Sequence, residues 1–300
     1  MKYLLLGGAG FIGSHLAKRL LNDGHRVVII DNLSTSTRPD TEYNLQLFIE
    51  ADIRDYANLE SYIEDSDVIY FLAASVGVDN VVNDPQGTTK NNMELASRLI
   101  PLFEKYQKKV VFTSTSEVYG DGPFSEHNNL SIGPSTKLRW SYAAAKLMTE
   151  FMITTSTFPY TIVRLFNIVG PGQVGEHGMV LPRFIKAAKD NTDVVVYGTG
   201  DQVRSFCHVH DAIDMLLQVE KINGEVFNIG NNEPVTIKTL AERVVSLSGS
   251  KSEIRFVPLE QVFVKNHGDV IKRVPDLDKI KNSINYQVNY KLDDIISSLL

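Results

Sequence analysis

Residues 1–20 read MKYLLLGGAGFIGSHLAKRL, and the fold turns on what the glycines at positions 7, 8, 10 and 13 are for. They come after a short apolar run, 3–6, and open an amphipathic stretch. Where Gly7, Gly10 and Gly13 carry no Cβ, backbone N–H groups can approach a pyrophosphate, and the start of a helix adds a favourable field for the anion. Alone, such a cluster suits an ordinary tight turn as well. The next apolar run, RVVII at 26–30, leads into Asp31, eighteen residues past Gly13. An acid there accepts hydrogen bonds from both hydroxyls of an adenosine ribose and repels a 2′-phosphate. Asp also begins many turns. Strand, glycines, helix, strand and acid in this order nevertheless predict a dinucleotide site, for NAD rather than NADP. Asp52 and Ile53, after a third strand, are placed to flank the adenine.

The pattern continues along the chain. Apolar runs at 67–71 (DVIYF), 109–114 (KVVFTS) and 160–165 (YTIVRL) lack alternation and read as strands buried on both faces. Amphipathic segments near 11–23, 56–64, 91–107 and 142–156 read as helices between them. This alternation predicts an α/β fold, a Rossmann-type doubly wound parallel sheet. The second half is less regular, with helices expected near 179–190, 209–220 and 236–248 and strands at 194–198, 204–209 and 225–230. We read 1–166 as the dinucleotide-binding domain and 167–300 as a smaller C-terminal α/β substrate lobe, discontinuous because 225–230 is expected to return to the main sheet. The loop NLSTSTRPDTEY (32–43) is expected to cover a ligand.

Composition narrows the function classes. With 300 residues and 43% apolar content the chain can bury one large core or two modest ones. A net charge of −6 without a basic block gives no reason to expect nucleic acid. The apolar run after Lys2 stops at Gly7, and none elsewhere approaches the ~20 residues of a membrane span, so no membrane partner is expected. The single cysteine, Cys207, precludes an intramolecular disulfide and fits a reducing, cytoplasmic setting; it reads as a small buried residue. His208 and His210 alternate in HVH, but no set of thiols or carboxylates with ligand spacing accompanies them, so no metal is expected.

The chemistry-bearing residues come after the fifth strand. TSTSEVYG (113–120) precedes WSYAAAK (140–146), where Tyr142 and Lys146 stand four apart and share a helix face. Such a pair is often only a surface pair. After a dinucleotide-binding half it reads as a base and its tuner: a free tyrosine has a pKa near ~10, and a neighbouring ammonium favours the phenolate. A Thr115 hydroxyl can hydrogen-bond the reacting alcohol.

With GGAGFIG, Asp31, LAAS (72–75), TSTSEVYG, YAAAK and RLFNIVGPGQ (164–173) in this order, the chain resembles the extended short-chain dehydrogenase/reductase family, in its nucleotide-sugar epimerase, dehydratase and decarboxylase branch. One departure is Leu6, where many members place Thr. The resemblance implies an NAD-dependent enzyme that oxidises a nucleotide-diphosphate sugar at C4. Tyr142 would take the hydroxyl proton, Lys146 would hold the nicotinamide ribose, and Thr115 would bind the sugar. Cofactor contacts would come from Gly7, Gly10, Phe11, Ile12, Gly13, Asp31, Asn32, Asp52, Ile53, Leu72, Ala73, Ala74, Asn92, Tyr142 and Lys146. Substrate contacts would come from Ser75, Asn167, Tyr197, Arg204 and Arg273. The two arginines are expected on the diphosphate, whose oxygens suit planar forked donors. The resemblance also implies a homodimer in which helices near 91–107 and 142–156 form a four-helix bundle; these helices carry Leu95, Leu99, Leu102, Phe103, Leu147 and Phe151, which core packing would demand equally.

The step after C4 oxidation stays open on these residues. Glu117 beside the sugar could remove a C5 proton or assist loss of a C6 carboxylate. Ser116 stands where dTDP-glucose dehydratases carry an aspartic acid, whereas GDP-mannose dehydratases and UDP-glucuronate decarboxylases resemble STSEVYG as it stands. The stretches HGMVLPRF (177–184) and GEVFNIGN (224–231) resemble 4-epimerases. A 4-epimerase ranks narrowly first, beside a dehydratase or decarboxylase using Glu117. A net 4-dehydrogenase releasing the keto sugar comes next, and a non-catalytic NAD or nucleotide-sugar sensor last. The sugar-ring pocket is expected around Ser75 to Asn80 and Glu117.

Overall fold

The computed structural model describes residues 1–34, 36, 48–75, 81, 83–173, 179–262 and 270–300. The first strand shows why a parallel sheet forms. In β1 (Lys2–Leu6) Tyr3 and Leu5 point into one hydrophobic cluster and Leu4 and Leu6 into the other, so both faces demand cover. β4 (Val68–Phe71) does the same, with Val68 and Tyr70 on one side and Ile69 and Phe71 on the other. Between them lie α1 (Phe11–Asn22), β2 (Arg26–Asp31), β3 (Phe48–Glu50) and α2 (Leu59–Asp65). Next come α3 (Pro85–Tyr106), β5 (Lys109–Thr115), a 3₁₀ turn at Ser116–Tyr119, α4 (Trp140–Thr154) and β6 (Tyr160–Leu165).

With β11 (Glu225–Ile229), these six strands build a seven-stranded parallel sheet in the order β11-β6-β5-β4-β1-β2-β3. Leu16, Ala17 and Leu20 of α1 cover one face, and Leu95, Leu99 and Phe103 of α3 cover the other. The α3 start is set locally: Asp84 accepts a hydrogen bond from Gly87 N at 2.8 Å, and Pro85 takes the first helical position, where its missing N–H is harmless. This helix therefore begins six residues before the expected 91. β11 lies in the main sheet, with Glu225 to Ile229 in register against Thr161 to Leu165.

The rest of the chain contains β7 (Ile168–Val169), α5 (Val180–Lys189), β8 (Val194–Tyr197), β9 (Val203–Arg204), β10 (Cys207–His208) and α6 (Val209–Val219). After β11 come β12 (Val235–Thr236), α7 (Ile237–Ser248), β13 (Ile254–Val257), α8 (Leu259–Val262), β14 (Lys272–Arg273), α9 (Asp278–Ser283) and α10 (Leu292–Leu299). A separate core here packs Leu181 and Phe184 of α5 against Leu240 and Val244 of α7 and Ile295 and Ile296 of α10. The single strand expected at 204–209 is two strands in two sheets. β9 pairs with β12 and β14, β10 pairs with β7, and the buried Ser205 and Phe206 carry the chain across. Each partner is remote in sequence, so no local pattern reveals the break. Among the described residues no helix is long and apolar enough to cross a membrane.

Of the apolar residues on the two helices, Leu95, Leu99 and Phe103 lie in this chain's own core, the alternative the sequence left open. Phe151 is 58% exposed, and Met148, one turn before it on α4, is 50% exposed.

Candidate active site

The sheet brings the residues singled out in the sequence to one edge. Gly7 comes after β1, Asp31 ends β2, Leu72 to Ser75 come after β4, Thr115 ends β5 and Asn167 comes after β6. In parallel strands these are all carboxyl-terminal ends, the edge where open α/β sheets bind ligands.

The glycine turn needs its glycines. Gly7 has φ +82°, and a Cβ there would lie 2.5 Å from the backbone N and Cα of Ala73. Ala73 is held by its N–H to Leu6 O at 2.7 Å, and Leu72 N donates to the same oxygen at 2.9 Å. A Cβ on Gly13 would strike Gly8 at 2.6 Å. A Cβ on Gly10 would meet only Gly7 O, at 3.6 Å. Gly10 caps α1 with no side-chain hydrogen bond, and the first turn has no acidic residue, so the helix start presents N–H donors to an anion. Phe11 and Ile12 begin α1 and pack on the core.

Asp31 is buried, accepting from Ala9 N at 2.9 Å and Leu33 N at 2.8 Å. It thereby ties the glycine turn to the loop after β2; Oδ1 also accepts from Ser36 Oγ at 3.4 Å, and Oδ2 keeps a second lone pair for a ribose hydroxyl. Asp52 accepts from Asn32 Nδ2 at 3.1 Å and is gripped by Arg54, whose hydrogen bonds hold its carboxyl well below the usual range. Ile53 beside it is buried. Asn92 on α3 bonds both backbone groups of Ser75, accepting from its N at 3.1 Å and donating to its O at 3.0 Å. It thereby fixes the loop after β4. Of the segment Ser75 to Asn80 only Ser75 lies within the described residues.

At the Tyr142–Lys146 pair, Lys146 is buried and its Nζ donates to Thr113 O at 2.8 Å. Burial lowers its pKa to about 7, against the pull of Glu150. Burial and the Glu117 anion push the Tyr142 phenol up, and a hydrogen bond with Thr115 works the other way. Lys146 is thus turned toward β5, and the expected help to the Tyr142 phenolate is not its main electrostatic input here.

Glu117 occupies the 3₁₀ turn that Thr115 caps, Oγ1 accepting from Glu117 N at 3.2 Å. Burial would raise its pKa, but two guanidinium groups outweigh that and hold it at about 2. Arg273 Nη1 donates to Oε1 at 2.6 Å and Arg139 Nη2 to Oε2 at 2.9 Å. Arg273, expected on a diphosphate, has one of its nitrogens on Glu117. The reason is register: β14 pairs with β9 so that Arg273 sits beside Arg204, and the β14 side chain reaches across to the turn. Among the described residues the buried Arg273 Nε has no hydrogen-bond partner. Arg204 donates from Nη1 to Val203 O at 2.9 Å, and Tyr197 stacks under the Arg183 guanidinium at 3.9 Å. Asn167, at φ +39°, donates to Ser205 O at 2.9 Å and so joins β7 to the β9–β10 crossing.

Sequence reasoning missed Arg139. It stands three residues before Tyr142, at the N-cap of α4, a place where a cation is unhelpful to the helix and therefore calls for a partner. His208 caps α6 by accepting from His210 N at 3.2 Å and stacks on Tyr290 at 3.8 Å; burial lowers its pKa to about 4. Cys207 is buried, which pushes its thiol up.

This geometry agrees with the comparisons to known proteins. Residues 3–230 match the NAD dependent epimerase/dehydratase family. The chain is 37% identical to UDP-N-acetyl-alpha-D-glucosaminuronate decarboxylase of Bacillus cytotoxicus, over 95% of this chain and 92% of that protein. It is 30% identical to UDP-glucuronic acid decarboxylase 1 of Danio rerio, over 98% of this chain and 70% of that one. Among solved structures it superposes on UDP-glucuronic acid 4-epimerase from Bacillus cereus in complex with UDP-glucuronic acid and NAD, with TM-score 0.85 and 28% identity over 99% and 97% of the two chains. The chain belongs to the NAD dependent epimerase/dehydratase family. It is an NAD-dependent enzyme of nucleotide-sugar chemistry, and the glycine turn and Asp31 are the residues that fit the cofactor.

Proposed function

We propose that the protein decarboxylates a UDP-linked hexuronate after oxidising it at C4. The observation that carries this reading is Arg273, a buried guanidinium 2.6 Å from Glu117 whose Nε points at no described acceptor. A buried donor of that kind calls for an anion, and a carboxylate at C6 of the sugar supplies one.

NAD, when bound, supplies the acceptor for the C4 hydride. Tyr142 takes the proton of the C4 hydroxyl, with Thr115 hydrogen-bonded beside it. The resulting ketone stands beta to the carboxylate carbon, and the same two hydroxyls hold O4 while the C5–C6 bond breaks and its electron pair moves on to that oxygen. Arg273 orients the substrate carboxylate. Glu117, kept anionic, faces it across the shared guanidinium, so departure of neutral carbon dioxide relieves a like-charge contact. A proton then returns to C5, and C4 recovers its hydride as Tyr142 gives the proton back to O4, so the cycle leaves no net oxidation. Ser116, buried at 3% exposure, lacks the acidity to protonate a departing C6 hydroxyl, which disfavours the 4,6-dehydratase reading.

The test is a panel of UDP-glucuronate, UDP-N-acetylglucosaminuronate, UDP-glucose and UDP-N-acetylglucosamine with NAD, following product mass and NADH absorbance. Loss of carbon dioxide from a hexuronate is expected. Unchanged mass with no net NADH would instead mean 4-epimerisation, and loss of two hydrogens with stoichiometric NADH a net dehydrogenase. We also propose a homodimer through α3 and α4, supported by the exposed Met148 and Phe151 on α4.

A further inference from the structure

Behind Lys146 lies a buried ionic network that the reaction itself does not use. Glu150 stands one helical turn after Lys146 on α4. It is gripped by Arg164 of β6 through two hydrogen bonds, Nε to Oε1 at 3.1 Å and Nη2 to Oε2 at 2.7 Å, and Ser114 Oγ donates to it as well. Both side chains of the ion pair are about 5% exposed. From Arg164 the network runs on: Nη1 donates to Tyr119 OH at 2.9 Å, and Tyr119 OH donates to Asn228 Oδ1 at 2.8 Å. Asn228 Nδ2 donates to Asp276 O at 3.1 Å, three residues after Arg273.

A buried ion pair is seldom retained for stability, because desolvation offsets most of its Coulomb energy. Here its position suggests another use. Lys146 faces Thr113 O and the Phe112 ring on β5, Tyr142 and Glu150 on its own helix, and Arg164 from β6 behind Glu150. Glu117 and Tyr119 lie on the 3₁₀ turn beyond. An uncompensated Glu150 would hold the ammonium proton tightly and oppose ionisation of Tyr142.

We propose that Arg164 is a positioning residue that offsets the Glu150 charge and so keeps the titration of the Lys146–Tyr142 pair lower than an unpartnered Glu150 would. This rests on Tyr142 and Lys146 being the proton-transfer pair, and it holds whichever reaction consumes the ketone. Burial is what lowers the Lys146 pKa to about 7, and Glu150 pulls it back up; the two-pronged Arg164 contact with Glu150 weakens that pull. The signs of the two single changes are opposite. Losing Arg164 leaves an anion that raises the pKa values of both Lys146 and Tyr142. Losing the Glu150 charge leaves a cation that lowers both. At roughly 6 Å and an effective dielectric near 20, each shift is about one to two pH units.

The experiment compares pH–rate profiles for Arg164→Met, Glu150→Gln and the double variant with each UDP-sugar of the panel that the wild type turns over, with Tyr142→Phe as control. Apparent pKa values of the coupled pair should move up in the first, down in the second, and return to within about half a unit of wild type in the third. Arg164→Lys, which keeps the charge, should keep the wild-type profile with a lower kcat. Profiles that do not move, or single variants that move the same way, overturn the proposal and leave the network a structural one. If Arg164→Met does not fold, the isosteric Glu150→Gln decides alone, since its profile must shift down. Turnover by Tyr142→Phe at the wild-type rate would instead remove the reading of the pair on which the proposal stands.

Discussion

Replacing Arg273 with Gln separates a hexuronate enzyme from one that handles neutral hexoses. In the structure the guanidinium is buried, spends Nη1 on Glu117 at 2.6 Å and leaves Nε without a hydrogen-bond partner among the described residues. A charge-assisted hydrogen bond is worth about 1.5–3 kcal/mol, so losing the one to a sugar carboxylate should lower kcat/KM for the hexuronate about 10- to 150-fold. The glutamine retains an amide to bond Glu117, and Arg139 at 2.9 Å still neutralises that carboxylate, so the turn is not expected to collapse. Calorimetric binding of UDP-glucose is the control and should change no more than about threefold, which is roughly 0.6 kcal/mol. Binding of UDP-glucuronate should weaken by the larger factor. If both ligands lose affinity equally, Arg273 serves the diphosphate or the turn, and the decarboxylase reading loses its main support.

Three further outcomes are expected from the geometry. Gly7→Ala puts a Cβ 2.5 Å from the Ala73 backbone at φ +82°, so thermal unfolding should show a loss of about 2 kcal/mol or more and a smaller rise in melting temperature on adding NAD. Glu117 has a pKa depressed from 4.5 to about 2, so its contribution of about 3 kcal/mol is complete above pH 4.5 and fades as pH falls toward 2. Denaturant titrations of Glu117→Gln against wild type should therefore show a gap at pH 6 that closes on acidification, and a gap independent of pH would contradict the ion-pair assignment. Phe151→Asp places a charge on the exposed face of α4 and should shift the sedimentation coefficient to that of a monomer, while an unchanged value would put the dimer contact elsewhere.

Much of this was legible in the sequence because its causes are local. Gly7 and Gly13 mark a turn that a Cβ would not fit, and Asp31 closes the strand beside it, all within the first strand–helix–strand unit; Tyr142 and Lys146 stood out by helical spacing only because such a unit precedes them. The partners of Glu117 were not legible. Arg139 carries no sequence mark beyond preceding Tyr142, and Arg273 reaches Glu117 only because β14 and β9, nearly seventy residues apart, pair side by side. The break between β9 and β10 was hidden for the same reason, since each half answers to a different distant strand. Leu95, Leu99 and Phe103 show the converse: helical periodicity identified an apolar face, but could not tell this chain's sheet from a second copy.

The return of β11 to the sheet has a consequence for how the molecule is made. While the ribosome is still extending the chain beyond β6, that strand has its β5 partner on one side and nothing on the other. Its open side carries unpaired amide and carbonyl groups that could template pairing with another nascent chain. That exposure ends only when 225–229 emerges and seals the edge in register. A chain stopped at residue 166 would keep it permanently, so the first 166 residues are a poor fragment to express alone, however complete their motifs.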